Sequence, residues 1–600
     1  RSVRQERERP MTVRRRSTRT GRSQDVRAFN EGPDVRRRGL WLVLAFLSMA
    51  TAVFGRLVQV QVIQGKSLAA QAAVTHTTSI KLQASRGQIL DRNGRVLVSN
   101  VQVFDVFADP ALISPGDRAN VAGMLAPILQ VTSAQVLNAI SQNNQFDYLA
   151  KGVSQDVNQK LQALRLSGIG TVPSEQSVYE PSPVPGVSFA ANLLGFVNAN
   201  GVGQYGLEGY YNALLAGTSG HESTLTDVNG NAIVLGRQQK VPAANGDNLV
   251  LGLDAQIQYD AEIALADGVN STQSASGTLM VMDTKTGAIR AWAQYPSYNA
   301  SSYGSSNVAD FRDLAVSQPY EPGSTMKVVT FAGGLNNNAF TPNTVIDERQ
   351  QRIDGYLIHD WDGRSHGHVS MQFVLDDSLN NGAIDAQKME GPNAFYSNLL
   401  AFGIGAPTGI DLAGEVNSPL HAQSSWNKLK YATASFGQGI VATPVEMLAA
   451  INAVANGGIW VEPHAVDAIV NPNTGTTTPV VPVSRRVITP AAAHTLAHMM
   501  VGVVDDPGGE GFKAKIPGYI GQIAGKTGTA SVALPNGGGY GPNVVASFVG
   551  FLPVQNPQFT MMVILNEPQE RHTGRFGSLL AAPIWKQMAE MMINDWRIAP

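Results

Sequence analysis

The 600-residue sequence contains no cysteine, which excludes disulfides, thiolate metal sites and a cysteine nucleophile. It has one long apolar run, and no second span appears. Residues 1–38 lack lysine and hold few apolar side chains, but they carry thirteen arginines against five acids. The whole chain is formally −2, so a strongly basic tail precedes a net acidic remainder. Without apolar periodicity the tail is expected to be disordered. Its charge is assigned to the membrane that follows it, not to nucleic acid. The chain opens on Arg1, which places its true start upstream or at Met11.

The apolar run from Gly39 to Gly55 includes Trp41, Leu44, Phe46, Leu47 and Phe54. It falls short of the about 20 residues a span needs, and reaches 39–60 when Arg56 snorkels and Leu57, Val58 and Val60 are added. Arg36, Arg37 and Arg38 immediately precede it, so the tail is expected in the cytoplasm and all that follows outside. Ala50-Thr51-Ala52 has the form of a signal-peptidase site. The long leader, and an apolar run that continues past that site, favour an uncleaved anchor.

Residues 61–244 read as mixed elements without a catalytic constellation. Ala84–Leu97 looks like two strands around an Asn93-Gly94 turn, and Asp227-Val228-Asn229-Gly230 signals another hairpin. Val121, Leu125, Ile128 and Leu129 have helical spacing, which Pro127 should kink or shorten. Ser154 is a candidate cap for a helix with Val157, Leu161 and Leu164 on one face. Arg86, Asp91 and Glu208 are read as structural ion-pair residues.

From about 245 to 600 the pattern changes. Asp254 caps a helix with Ile257, Ala261, Ala264 and Leu265 inward, and the hairpin Gly277–Asp283/Ala288–Ala293 follows. Strands at Val545–Leu552 and Gln558–Leu565 and a helix at Ala582–Asp595 close the chain. Strands at both ends around a helical middle suggest one α/β unit with a split antiparallel sheet.

Within that unit stands an ordered trio: Ser324-Thr325-Met326-Lys327, Ser378-Leu379-Asn380 and Lys526-Thr527-Gly528-Thr529. Glu321-Pro322-Gly323 is a turn that opens a helix at Ser324, and residues three apart share a helix face, so Lys327 is expected beside Ser324. A serine hydroxyl needs a base to attack, and an amine becomes one when burial and a second cation lower its pKa. Lys526 is the candidate second cation. Ser378 is placed to relay the proton and Asn380 to hold substrate backbone. Lys526-Thr527-Gly528-Thr529 reads as a strand, where Gly528 admits substrate backbone and Lys526 and Thr527 bind a terminal carboxylate. The N–H groups of Thr529 and Ser324 are the candidate oxyanion hole. His359, His366 and His368, with Asp360 and Asp362, form a cluster with metal-ligand chemistry, read instead as a solvated loop ahead of Ser378.

These motifs, with Arg86–Gly94, Gly203–Glu208, Phe436–Ile440 and Ala455–Gly458, resemble the class B penicillin-binding proteins, in particular FtsI-like septal transpeptidases. The resemblance implies an α/β (α+β) transpeptidase/β-lactamase-like domain at 245–600, with a central antiparallel sheet flanked by helices. It also implies an elongated α+β pedestal at 61–244 and one transmembrane helix. The implied reaction is D,D-transpeptidation of peptidoglycan stem peptides through a Ser324 acyl-enzyme, blocked by β-lactams and needing no cofactor. An FtsW-like membrane glycosyltransferase and other divisome proteins are the implied partners. Ser182-Pro183-Val184-Pro185-Gly186 stands where the family usually has an Arg-x-Tyr-Pro-type motif, so the pedestal is expected to pack differently there. A β-lactamase would carry a Glu-x-x-Leu-Asn signature between Ser378 and Lys526, and none is present. Side-wall elongation and a non-catalytic divisome scaffold or β-lactam sensor are the competing roles.

Overall fold

The computed structural model describes residues 33–68, 77–225, 239–534, 539–569 and 574–600. The chain before Pro33 and the Asp227–Gly230 turn lie outside them.

The apolar run is helical from Pro33 to Val58, with a π turn at Gln59–Ile63. The segment Arg37–Ile63 is the one described helix long and apolar enough to cross a membrane. Trp41, Phe46 and Phe54 are each more than 70% exposed along it. The helix outruns the apolar stretch at its start because the arginines before Gly39 are themselves good helix formers.

The pedestal is organised around the long strand Val96–Ala108, which pairs antiparallel with Ile89–Leu90, Asp147–Val153 and Ile169–Tyr179. The Asn93-Gly94 turn forms as expected. Asp91 makes no ion pair among the described residues: its carboxylate accepts from the backbone N–H of Asn93 and Arg95, both at 2.8 Å, and so fixes that turn. Ser154 accepts from Val157 N at 3.4 Å and caps Gln155–Leu164. Pro127 sits in the last turn of Arg118–Leu129, where it costs one backbone bond and the helix stops two residues later.

Arg86 and Glu208 do pair, with the guanidinium Nε donating at 2.9 Å to Oε2 of Glu208. Both side chains are buried. Removing one member strands the other charge, so Glu208→Ala should destabilise the fold by about 3 kcal/mol. Thermal unfolding of the variant against wild type measures it.

The pedestal sheet recruits strands from far along the chain. Asn248–Leu251 lies parallel to Ile89–Leu90 and antiparallel to Val466–Asn471, which in turn pairs with Thr476–Pro479. The Ser182–Gly186 loop makes a second tie: Ser182 Oγ donates to Glu262 at 2.5 Å, and Ala190 N donates to the other carboxylate oxygen at 2.6 Å.

Glu262 belongs to helix α1 (Ala255–Thr272), capped by Asp254. Then come strands β1 (Ser276–Asp283) and β2 (Ile289–Tyr295), helices α2 (Met326–Asn336), α3 (Asn380–Glu390) and α4 (Pro490–Asp505), strands β3 (Ala524–Ala533), β4 (Tyr540–Leu552) and β5 (Phe559–Asn566), and helix α5 (Gly577–Trp596). The strands form one antiparallel sheet in the order β2-β1-β5-β4-β3. Its two faces are buried separately. Leu279, Val281, Phe559 and Val563 meet α1 and α5 through Ile257, Leu265, Trp585 and Met588. Met280, Met282, Met562 and Ile564 face the helical side that carries α2, α4 and Pro444–Ala455. Cover on both faces explains why these strands read as nearly continuous apolar runs. β3 lies at the sheet edge, with one side unpaired.

Candidate active site

All three motifs meet at the edge of the sheet formed by β3. Gly323–Thr325 forms a 3₁₀ turn that leads directly into α2, and Thr325 Oγ1 donates to Pro322 O at 2.9 Å to close it. The turn is braced from behind by Gly437 (φ 77°), whose carbonyl accepts from Gly323 N at 3.1 Å. A Cβ on Gly437 would lie 2.2 Å from the Gly323 oxygen, so only glycine permits this approach. Ser324 is presented to a cleft of about 190 Å³ that Ser378, Asn380, Thr527 and Thr529 also line.

Ser378 sits mid-way in the link between Met371–Asp376 and α3, in a left-handed conformation (φ 57°) that is unfavourable for serine. Two amines converge on its side chain. Lys526 Nζ lies 2.8 Å from Ser378 Oγ, and Lys327 Nζ lies 3.3 Å from the same oxygen. Lys327 also donates to the Ser378 carbonyl and, at 2.9 Å, to Asn380 Oδ1. Both lysine side chains are fully buried. The structure therefore brings Lys327, Ser378, Asn380 and Lys526 into one network. It does not join Ser324 to Lys327 as the helical spacing suggests: no hydrogen bond of the Ser324 hydroxyl forms among the described residues, and the amine is turned to Ser378 and Asn380. Such catalytic contacts commonly close only with substrate bound.

The electrostatics suit a neutral Lys327. Burial, and then the charge of Lys526, hold its pKa well below the usual lysine range against the pull of Asp360, Glu510 and Asp377. Lys526 is also lowered by burial, while Glu510, Asp376 and Asp377 act to keep it charged.

The histidine-rich loop is largely exposed, with His359 and His368 at the surface, and Asp360 makes it a brace as well. Asp360 is buried, and its carboxylate accepts from the N–H of Asn380, from Asn381 N at 3.1 Å and from Asn381 Nδ2 at 2.8 Å. His359 O accepts from Asn380 Nδ2 at 3.0 Å, which turns the amide oxygen toward Lys327. His366 lies 3.5 Å from Asp362 and 3.9 Å from Asp377.

β3 carries the third motif. Thr527 Oγ1 accepts from Lys526 at 3.3 Å, and Thr529 Oγ1 accepts from Gly577 N at 3.0 Å, tying β3 to the start of α5. Gly528 has a reason on the protein side. A Cβ there would lie 2.3 Å from Ser547 Oγ and 3.0 Å from Thr325 Cγ2, so its absence lets the Gly323–Thr325 turn pack on the strand. Gly528→Ala should slow acylation by roughly a hundredfold through displaced geometry and cost about 1–3 kcal/mol of stability. Stopped-flow acylation and thermal melts read the two effects separately.

Sequence reasoning missed Trp361, Glu510 and Phe576 as cleft residues. Trp361 and Phe576 stand edge to face, 6.2 Å apart, as an aromatic rim. Phe436 and Gln438, which complete the lining, lay in a stretch the sequence did mark.

Comparison with known proteins matches this arrangement. The profile of the penicillin binding protein transpeptidase domain covers residues 277–590, more than half the chain, and that of the penicillin-binding protein dimerisation domain covers 81–251. The chain belongs to the penicillin-binding protein transpeptidase family. It is 28% identical to stage V sporulation protein D of Bacillus subtilis, over 92% of this chain and 84% of that one. Peptidoglycan D,D-transpeptidase FtsI of Escherichia coli is 29% identical, over 93% and 91%. The crystal structure of penicillin binding protein 3 from Mycobacterium tuberculosis complexed with aztreonam superposes with a TM-score of 0.67 at 25% identity, covering 87% of this chain and 98% of that one.

Proposed function

We propose that this chain is a peptidoglycan D,D-transpeptidase working through a Ser324 acyl-enzyme. The supporting observation is Ser378 Oγ placed between two buried amines, at 2.8 Å and 3.3 Å, on the wall of the cleft that holds Ser324. Ser324 Oγ attacks the carbonyl of the penultimate D-Ala and its proton goes to neutral Lys327. The N–H groups of Ser324 and Thr529 stabilise the oxyanion, while Lys526 and Thr527 hold the terminal carboxylate. The C–N bond breaks as Ser378 passes a proton to the departing D-Ala amine and is reprotonated by Lys327, which becomes neutral again while Lys526 stays charged. An amine of a neighbouring stem then attacks the ester and loses a proton to Lys327, which hands it to Ser324 Oγ as the ester C–O bond breaks. A β-lactam ring enters by the same first step and stays attached.

The chain divides in this reading into a cytoplasmic tail (1–38), a membrane anchor (39–60), a pedestal (61–244) and the catalytic domain (245–600). The arginines before the anchor support a cytoplasmic tail and a catalytic domain outside the inner membrane. The pedestal offers no glycosyltransferase, so a membrane polymerase of the FtsW kind, with other divisome proteins, supplies the glycan. We place the work at the septum. A fluorescent fusion gathered at midcell supports that placement, and one spread along the side wall assigns the enzyme to elongation.

The test of the reaction uses the purified protein with a D-Ala–D-Ala stem peptide and an amine acceptor. Mass spectrometry should find a crosslinked product and one free D-Ala for each bond made. Protein that binds the peptide but releases no D-Ala is a scaffold or sensor.

A further inference from the structure

His494 and His498 lie one turn apart on α4, on the face turned away from the core. Leu496, Met500 and Val503 carry the packing on the inner face and are fully buried, whereas both histidines are exposed. Their Nε2 atoms stand 3.2 Å apart, with the ring centres separated by 4.4 Å. Neither Nδ1 has a hydrogen-bond partner among the described residues, so nothing in the fold forces a proton onto Nε2. With the proton on Nδ1 of each ring, two lone pairs face one another, an arrangement that a cation between them relieves.

The spacing suits such an ion. Two imidazole nitrogens each about 2.0–2.1 Å from a zinc ion are about 3.3 Å apart at the tetrahedral angle and about 2.9 Å apart at a right angle. The observed 3.2 Å falls between the two. A third arm comes from Gln555, exposed on the turn between β4 and β5, whose carboxamide nitrogen lies 3.4 Å from His498 Nε2. A half-turn about its last side-chain bond puts the amide oxygen, a metal ligand, in that place. No three of the described histidines and carboxylates gather to hold a metal, and the chain has no cysteine. Two imidazoles and an amide, completed by water, are therefore the best nitrogen-rich set the fold presents.

We propose that His494, His498 and Gln555 form a surface site for a divalent cation of the zinc class, which clips α4 to the β4–β5 turn. Two histidines four apart on one helix face are a ligand pair that zinc uses, and imidazole serves copper and nickel as well. Both clipped elements already bear on the strand of the third motif: α4 packs on β3, and Val554 N in the turn donates at 2.8 Å to the carbonyl of Gln522, just before β3. None of the three ligands lines the catalytic cleft, so the ion acts on stability and not on the acyl transfer.

Zinc chloride titrated into the full chain in detergent, prepared without a histidine tag, tests the site. Wild type should bind one zinc ion and melt about 2 °C higher once free zinc exceeds Kd by about tenfold. His494→Ala and His498→Ala should each lose both the ion and the shift, and Gln555→Ala should weaken binding several-fold. The shift is read within each variant, as melting with zinc against melting without, so a change in basal stability does not enter. Wild type that binds no zinc overturns the site, as does zinc bound equally by wild type and the two histidine variants. Full-strength binding by Gln555→Ala overturns the clip to the turn.

Discussion

Ser324→Ala should abolish covalent labelling by a fluorescent penicillin and leave the protein folded. The loss is expected on the order of 10⁴-fold or more, because removing the attacking atom leaves only binding and oxyanion stabilisation. Stability should move by less than about 0.5 kcal/mol, since the hydroxyl is partly exposed and makes no hydrogen bond among the described residues. The neighbours carry the structure instead: Thr325 is buried and closes the turn, and Gly323 is anchored by Gly437. Gel fluorescence at matched protein concentration, with a thermal melt of each sample, separates chemistry from unfolding. Equal labelling of the variant rejects Ser324 as the nucleophile.

Local signals in the sequence were reliable where one or two residues decide the outcome. Asp254 caps α1, Asn93-Gly94 makes its turn, and the three motifs fall on a helix start, a polar turn and a strand as their compositions suggest. Ser182–Gly186 departs from the usual motif and still docks on the catalytic domain, through Glu262. Illegible features depend on segments distant in sequence. Nothing near Val466–Asn471 announces that it will extend the pedestal sheet, because pairing partners are not written in a strand's own pattern. Asp360 looked like part of a hydrophilic cluster until α3 was seen to need its carboxylate. Gly528 was read for what it offers a substrate, while its tightest constraint is Ser547 on the adjacent strand. Trp361, Glu510 and Phe576 reach the cleft from three different segments, and no spacing rule connects them.

Lys327→Met should lower penicillin acylation by roughly 10²- to 10⁴-fold, the usual worth of a general base, and should also change the shape of its pH dependence. In the proposed mechanism the active form has Lys327 neutral and Lys526 charged. Rate therefore rises with pH through the lowered pKa of Lys327 and falls again as Lys526 loses its proton. Burial depresses both groups, so the bell should sit well below the about 10.4 of an ordinary lysine. Methionine removes the titrating amine, so the acid limb should disappear while the alkaline limb, which belongs to Lys526, remains. It also strips donors from the Ser378 carbonyl and Asn380 Oδ1, at a cost in stability of about 1–3 kcal/mol. Acylation rates measured across pH on protein confirmed as folded distinguish these effects. Survival of the acid limb in the variant would show that another group takes the serine proton, and the role assigned to Lys327 would pass to the Ser378–Lys526 pair.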